Sequence, residues 1–350
     1  MAESPQVFRV LPRQAGETIA GVLRQWMPGK SWSEVRALLR TRRVLVNGNL
    51  CVDAGRRLRL SDVVKVLPHP TAPPPVEKDV RIRYADAQVV VVEKPAGMTS
   101  TRHSEEHHWP ARRKQLQPTL DELLPQILAK KERGKRRGKG VPPPIRAVHR
   151  LDRDTSGLMV FARTVTAERH LMQQFRKHAT HRRYLAIAQG AVPAQRIETR
   201  LVRDRGDGRR GSTTLPDVGK TAVTHVRPLE SLGDYTLVEC RLETGRTHQI
   251  RVHLAERGHP LCGEKVYCQP LFGPAIADQS GAPRLALHAA ELGFEHPVTG
   301  EPMRFEMPLP EDLEDLLDRL RRESSGAGKI SPQRRRDRGG KGTGKRGEAR

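Results

Sequence analysis

The sequence predicts an α+β protein made of two units of unequal size, and three observations carry that expectation. Residues 7–67 hold two short amphipathic helical patterns followed by a hairpin signal. Pro68, Pro70, Pro73, Pro74 and Pro75 then make a stiff, extended spacer. From Val80 onward the chain turns to short apolar runs bounded by turn residues, the mark of core strands, interleaved with helical patterns. At 350 residues the chain can form a medium domain and a smaller one. The expected organisation is a small α/β unit over 7–67, a linker over 68–79, a larger unit over 80–322 and a disordered basic tail over 323–350.

In the small unit, 16–27 reads as a helix through Ile19, Val22, Leu23 and Trp26. A second helix starts at Ser31, where Ser31-Trp32-Ser33-Glu34 forms a capping box, and runs to about Arg40. Val44-Leu45-Val46, Asn47-Gly48 and Asn49-Leu50-Cys51-Val52 give a hairpin with Asn-Gly at its turn, and 63–66 supplies another strand.

In the larger unit, strands are expected at 81–84, 89–92, 158–162, 182–188, 235–242, 285–289 and 292–294. Thr119-Leu120-Asp121-Glu122 is a capping-box signal for a helix through Leu123, Ile127 and Leu128, despite Pro125. Thr166 is read as the cap of a helix carrying Leu171, Met172 and Phe175. Leu313, Leu316, Leu317 and Leu320 give a closing amphipathic helix.

A formal charge of +23 calls for a polyanionic partner, nucleic acid before membrane. The excess is concentrated: 130–139 carries +6 and 321–350 carries +8, both rich in glycine and poor in apolar residues. Such segments bind phosphates without reading sequence. No apolar run is long enough to span a bilayer and no signal-peptide core appears, so a cytoplasmic protein is expected. Cys51, Cys240, Cys262 and Cys268 form no Cys-x-x-Cys pair and read as reduced structural thiols.

Several motif readings fail on context. His103, His107 and His108 do not form His-Glu-x-x-His and lack a cysteine partner, so no metal site is expected. The run 206–211 fits Gly-x-Gly-x-x-Gly, but no apolar strand precedes it and no amphipathic helix follows; it reads as a basic hairpin loop. Phosphate-loop and nucleophile-elbow motifs are missing too, and no cofactor is expected.

Two stretches do carry chemistry. Between Arg146 and Ala162, Asp152 lies between Arg150 and Arg153 in a polar turn ahead of a buried strand. An acid kept ionised by cations suits a nucleophile or base near neutral pH. Asp154 is the alternative acid. The second stretch, 244–254, packs two arginines, two histidines and a glutamine around an apolar thread. Buried cations of that kind need an ionised carboxylate.

In order, the chain shows Lys94-Pro-Ala-Gly, His149-Arg-Leu-Asp-x-x-Thr-Ser-Gly-Leu, Arg183-Tyr184-x-Ala, Gly245-Arg-Thr-His-Gln-Ile-Arg-Val-His, Gly258-His-Pro-Leu-x-Gly and Leu287-His-Ala. Together these resemble the RluA-type family of RNA pseudouridine synthases over about residues 80–310. The small unit resembles the S-four-like RNA-binding domain, a common companion of that family. Three positions depart from the patterns. Arg42-Arg43 and Ser61 stand where the small domain usually has glycine, and Glu264 stands where the family usually shows aspartate after glycine. The insertion over 102–144 is also longer and more basic than usual.

The resemblance implies a catalytic domain with a mixed, largely antiparallel central sheet flanked by helices. It implies Asp152 as the catalytic aspartate, Tyr184 as the ring that stacks on the target base, and Arg251 as the partner of the aspartate. Arg150 would fill the gap left by a flipped nucleotide, and Leu287 would line the base pocket. Arg36, Arg40, Arg42, Arg43 and Arg246 are the expected RNA contacts.

Isomerising uridine means breaking N1–C1′, turning the uracil and joining C5 to C1′, with nothing oxidised and no group carried away. One carboxylate suffices, either attacking C1′ or acting as base to form a glycal, whereas a glycosidase wants two. Extruding the nucleotide from a duplex costs roughly a few kcal/mol. The expected substrate is structured RNA, most plausibly large-subunit ribosomal RNA, handled by a monomer. A tRNA-directed enzyme and a non-catalytic RNA-binding assembly factor are the alternatives. An RNA hydrolase is disfavoured because no metal cluster or histidine pair appears.

Overall fold

The computed structural model describes residues 6–47, 49–68, 70, 75–102, 106–109, 111–133, 144–205 and 209–327. Parts of the expected linker and insertion, the start of the basic loop at 206–208, His103 and the tail from 328 lie outside them.

The first unit contains β1 (Gln6–Arg9), α1 (Ile19–Trp26), α2 (Trp32–Arg40), β2 (Val44–Val46), β3 (Asn49–Leu50) and β4 (Val63–Val66). Its four strands pair in the order β1-β4-β2-β3. Thr18 caps α1 by accepting the Gly21 N–H. Ser31 and Glu34 close the expected capping box at α2. Ile19, Val22, Leu23, Val35, Leu39, Val44 and Val64 form a core belonging to this unit alone. Asn47 holds the hairpin turn, donating to Asp62 at 2.7 Å and accepting the Val63 N–H at 2.8 Å.

The second unit contains β5 (Arg81–Ala85), β6 (Val89–Lys94), α3 (Ala111–Leu116), α4 (Leu120–Arg133), β7 (Arg146–Ala147), β8 (Ser156–Ala162) and α5 (Val165–Arg176). There follow β9 (His181–Gln189), β10 (Gln195–Val202), β11 (Gly211–Thr213), β12 (Lys220–Ser231), β13 (Tyr235–Leu242), α6 (Gln249–Glu256), β14 (Leu287–Glu295), β15 (Pro302–Glu306) and α7 (Glu311–Ala327). Its 11-stranded sheet runs β11-β10-β12-β13-β9-β14-β8-β6-β5, with β15 on β14 and β7 on β8. Among the described residues β14 and β8 pair in parallel and the other pairs are antiparallel, the mixed α+β arrangement expected.

The two sheet faces bury different helices. One face packs Val90, Val92, Met159, Phe161, Tyr184 and Leu287 against α4 and α6 through Leu120, Leu124, Leu128, Ile250 and Leu254. On the other, Val89, Val91, Leu158 and Val160 meet Leu171 of α5. Ile187 and Leu237 meet α7 through Leu313, Leu316, Leu317 and Leu320. Strand alternation thereby sends Tyr184 to the first face and Arg183 to the other, where it binds Glu291 at 2.7 Å.

Some expectations needed correction. The cap of α5 is Thr164, which accepts the Ala167 N–H; Thr166 lies inside the helix. The separate strands at 285–289 and 292–294 are one strand, β14. The thread at 249–254 is helix α6, all eight residues of which are buried, so no polar face marks its period. Helix α7 continues to Ala327, past the expected start of the tail at 323. β1, β7, β10, β11, β12, β15 and α3 come in addition to the expected elements. β12 carries Pro228 at a register shift, where its alternation breaks. No helix among the described residues is long and apolar enough to cross a membrane.

Candidate active site

Asp152 sits in the loop from β7 to β8, and every motif around it braces that loop. Leu151 is buried, and its N–H and carbonyl both bond the Ser100 hydroxyl, at 3.1 and 2.7 Å. Lys94 is fully buried and donates to the carbonyls of Pro95, Met98 and Arg153 at 2.9, 2.8 and 3.0 Å. Burial pushes its pKa down to about 7 against the pull of Asp154 and Asp152. Gly97 donates its N–H to the Arg153 carbonyl, and the Arg153 side chain donates back to the Gly97 carbonyl. The Lys94-Pro-Ala-Gly motif is therefore a clamp on the acid loop, and Arg153 belongs to that clamp.

The loop is fastened at both ends. Before it, His149 accepts the Val160 N–H through Nε2 at 3.1 Å and stacks on Phe175. Burial pushes this imidazole down to about 3, so it is neutral and structural. After it, Gly157 has φ +126, and a Cβ there would lie 2.3 Å from the Ala289 carbonyl oxygen. Only glycine lets β8 approach β14 this closely.

Tyr184 on β9 lies opposite Cys240 of β13 and Ala289 of β14 and is buried. Burial raises its pKa; Arg182 opposes the shift and Asp152 adds to it, so the phenol keeps its proton. Leu287 lies in the same core cluster, giving the site an apolar floor.

The opposite wall is α6 and the loop after it. Arg251 Nη1 is 3.6 Å from Asp152 Oδ2, and His248 Nε2 is 3.7 Å from Asp152 Oδ1. Arg251 also grips Glu264, Nε to Oε2 at 2.7 Å and Nη2 to Oε1 at 2.8 Å, and lies over the Tyr267 ring at 5.1 Å. Burial opposes charge on both partners. The bidentate bond outweighs it, holding the pKa of Glu264 below and that of Arg251 above the ordinary value. Glu264 further accepts the N–H groups of Lys265, Val266 and Tyr267.

The structure thus brings Asp152, Tyr184, Arg251 and Leu287 to one place. Asp154 is half-buried and lies 3.9 Å from Arg153. Arg150 is exposed beside Asp152, with no hydrogen bond or ion pair to the described residues. Arg246 is half-buried and donates to the Thr221 carbonyl at 2.9 Å. Arg36 and Arg40 are exposed one turn apart on α2, while Arg43 donates from Nε to the Leu67 carbonyl at 2.9 Å. Arg42 is half-buried at φ 59. Sequence reasoning did not assign His248, Glu264 or Tyr267 to the site. The density of polar residues around 248 and the departure at 264 were the available signals.

The family model described as RNA pseudouridylate synthase matches residues 88–256, from the strand before Lys94 to the end of α6. A ribosomal large subunit pseudouridine synthase D of Xanthomonas campestris is 34% identical over 91% of this chain and 93% of that protein. The chain belongs to the RluA-type family of RNA pseudouridine synthases. A family member of Bacillus subtilis, the uncharacterized RNA pseudouridine synthase YlyB, is 38% identical over 83% of this chain and 90% of its own. Human RNA pseudouridylate synthase domain containing 4 superposes with a TM-score of 0.52 at 25% identity, over 69% of this chain and 92% of that one.

Proposed function

We propose that this enzyme converts specific uridines of large-subunit ribosomal RNA to pseudouridine in the cytoplasm, with Asp152 as its catalytic group. The observation that carries the reading is the setting of Asp152: one carboxylate with Arg251 at one oxygen and His248 at the other, beside the apolar core that holds Tyr184 and Leu287. The choice of ribosomal RNA is supported by the names of the relatives from Xanthomonas and Neisseria.

The target nucleotide leaves the helix and its uracil stacks on Tyr184, while Arg150 occupies the vacated position. Asp152 attacks C1′ as N1–C1′ breaks, or removes a C2′ proton as N1–C1′ breaks to give a glycal. The uracil turns, and C5–C1′ forms as the Asp152–C1′ bond breaks or as the proton returns to C2′; C5 then loses its hydrogen and N1 gains one. Arg251 faces the acid at Oδ2, and no metal or cofactor enters the scheme. Arg36, Arg40, Arg42 and Arg43 of the small unit, read as an RNA-binding domain, engage phosphates alongside the basic stretches, and their contacts offset the cost of extrusion.

The test uses RNA tritiated at uracil C5. Wild type is expected to release tritium and D152N to release none. Equal release by both would remove Asp152 from the chemistry, and equal failure of both on ribosomal RNA would remove the substrate.

A further inference from the structure

His248 is half-buried beside Asp152, and the reaction scheme leaves it without a task. It stands at the N-cap of α6 in the left-handed region, at φ 61, where a non-glycine residue is strained. Its side chain makes no capping bond to the helix. The ring instead meets Tyr267 edge-on, Nδ1 lying 2.6 Å from the Tyr267 hydroxyl, and turns Nε2 to Asp152 at 3.7 Å.

The tautomer follows from the neighbours. Burial pushes the Tyr267 phenol up to about 12, so it keeps a proton it can donate. The Asp152 carboxylate oxygen facing Nε2 calls for the ring's own proton there, which leaves Nδ1 to accept from Tyr267. Burial pushes His248 down to about 4 against the pull of Asp152, so the ring is neutral at pH 7. A neutral imidazole that accepts at Nδ1 carries its proton on Nε2. The charged groups facing it are Asp152 from the β7–β8 loop, Arg251 on α6, Arg210 ahead of β11 and Glu264 after α6. Each neighbouring cation further disfavours a second positive charge on the ring.

Resting on the function proposed above, we infer that His248 is a positioning residue for Asp152. Tyr267 fixes its tautomer, and its Nε2–H holds Oδ1 while Arg251 holds Oδ2, so the carboxylate enters the reaction in one orientation. A neutral donor orients the acid without the added positive charge that would blunt its nucleophilicity. The 3.7 Å separation is that of a substrate-free site, where such contacts are long and tighten once substrate excludes water.

The test uses the full-length protein. With ¹⁵N-labelled histidine, wild type shows His248 as the Nε2–H tautomer, and Y267F loses that single tautomer. H248L lowers the single-turnover rate of tritium release roughly ten- to a hundredfold, the loss of a hydrogen bond to a charged group, with RNA affinity unchanged. H248Q, whose amide nitrogen reaches the place of Nε2, recovers most of the rate. An Nδ1–H tautomer in wild type, full activity in H248L, or no recovery in H248Q would each overturn the inference. No release by wild type would fell the underlying reading instead, and the tautomer measurement would still decide the Tyr267–His248 geometry.

Discussion

Glu264 binds Arg251 through both of its oxygens, at 2.7 and 2.8 Å, and so fixes the guanidinium whose remaining nitrogen faces Asp152. The side chain of Glu264 is 1% exposed, so the pair is desolvated on the carboxylate side. Removing one member of such a pair leaves a buried charge uncompensated. E264Q is expected to lose about 3–5 kcal/mol of stability in chemical denaturation. Its single-turnover rate should fall at least tenfold, because Arg251 is freed to rotate off Asp152. E264D keeps the charge but shortens the reach by one methylene, and should fall between E264Q and wild type on both measures. An E264Q protein as stable as wild type would mean that Arg251 has another anchor.

The acid loop depends on Lys94 in a different way. Its ammonium has three protons and meets three backbone carbonyls, so no donor is wasted and the strand end, the Gly97 turn and the acid loop are tied at one atom. K94M is close in volume but leaves those acceptors unpaired. It is expected to lower stability by roughly 2–4 kcal/mol. It should also slow the reaction more than it weakens RNA binding, because the acid loop loosens while the RNA contacts remain. Thermal melts and single-turnover rates at saturating RNA check both parts.

Arg150 is the opposite case, an exposed cation with no bond to the described residues. R150A should leave the melting temperature unchanged. If the side chain fills the space of an extruded nucleotide, the variant loses activity mainly on a target uridine in a duplex and much less on the same uridine in an unpaired strand. Equal losses on both substrates would make Arg150 an ordinary phosphate contact.

The strand skeleton is legible in the sequence where strands are buried on both faces, as at 89–92 and 158–162, because a short, continuous β-branched and apolar run fits a core strand better than a helix. Helix α6 is hidden, since it is buried all round and has no polar stripe to show its period. The strands at the sheet's far end, β10 and β12, are half-exposed and charged, and their alternation is not distinctive. At the site, Asp152, Tyr184 and Arg251 stand out through motifs. Glu264 shows only as a departure, because nothing in a linear pattern says that a residue 13 positions after an arginine will bind it.

Two other departures have a backbone meaning. Arg42 and Ser61 stand where the resemblance to an S-four-like domain leads one to expect glycine, and both adopt left-handed φ, 59 and 66. That conformation costs an ordinary residue about 1–2 kcal/mol, while glycine adopts it freely at some cost in unfolded-state entropy. Ser61 is exposed, and its N–H bond to the Val10 carbonyl at 3.1 Å survives the change to glycine. S61G is therefore expected to stabilise the chain by about 0.5–1 kcal/mol, read as a shift of the denaturation midpoint. A destabilised S61G would show that the serine side chain has a role outweighing the relief of strain.

Four histidines with depressed pKa values set the acid limit of the fold. Burial pushes His149 down to about 3 and His248, His253 and His288 down to about 4, all from an ordinary 6.5. Their pKa values are depressed in the fold, so between about pH 6.5 and 4 the unfolded chain binds protons that the folded chain refuses. Stability from these groups is complete above 6.5 and is lost as pH falls toward 4. Each such histidine adds about 1.4 kcal/mol per pH unit to the slope within that window. His253 is the cleanest probe, fully buried between Thr199 and Thr224 at 2.9 Å from each hydroxyl and outside the proposed chemistry. Denaturation of wild type at pH 7.5, 6.0 and 5.0 should show the decline. H253Q, which can still bond both threonines but does not titrate, should flatten the slope by one proton; identical slopes would mean that His253 is protonated in the fold.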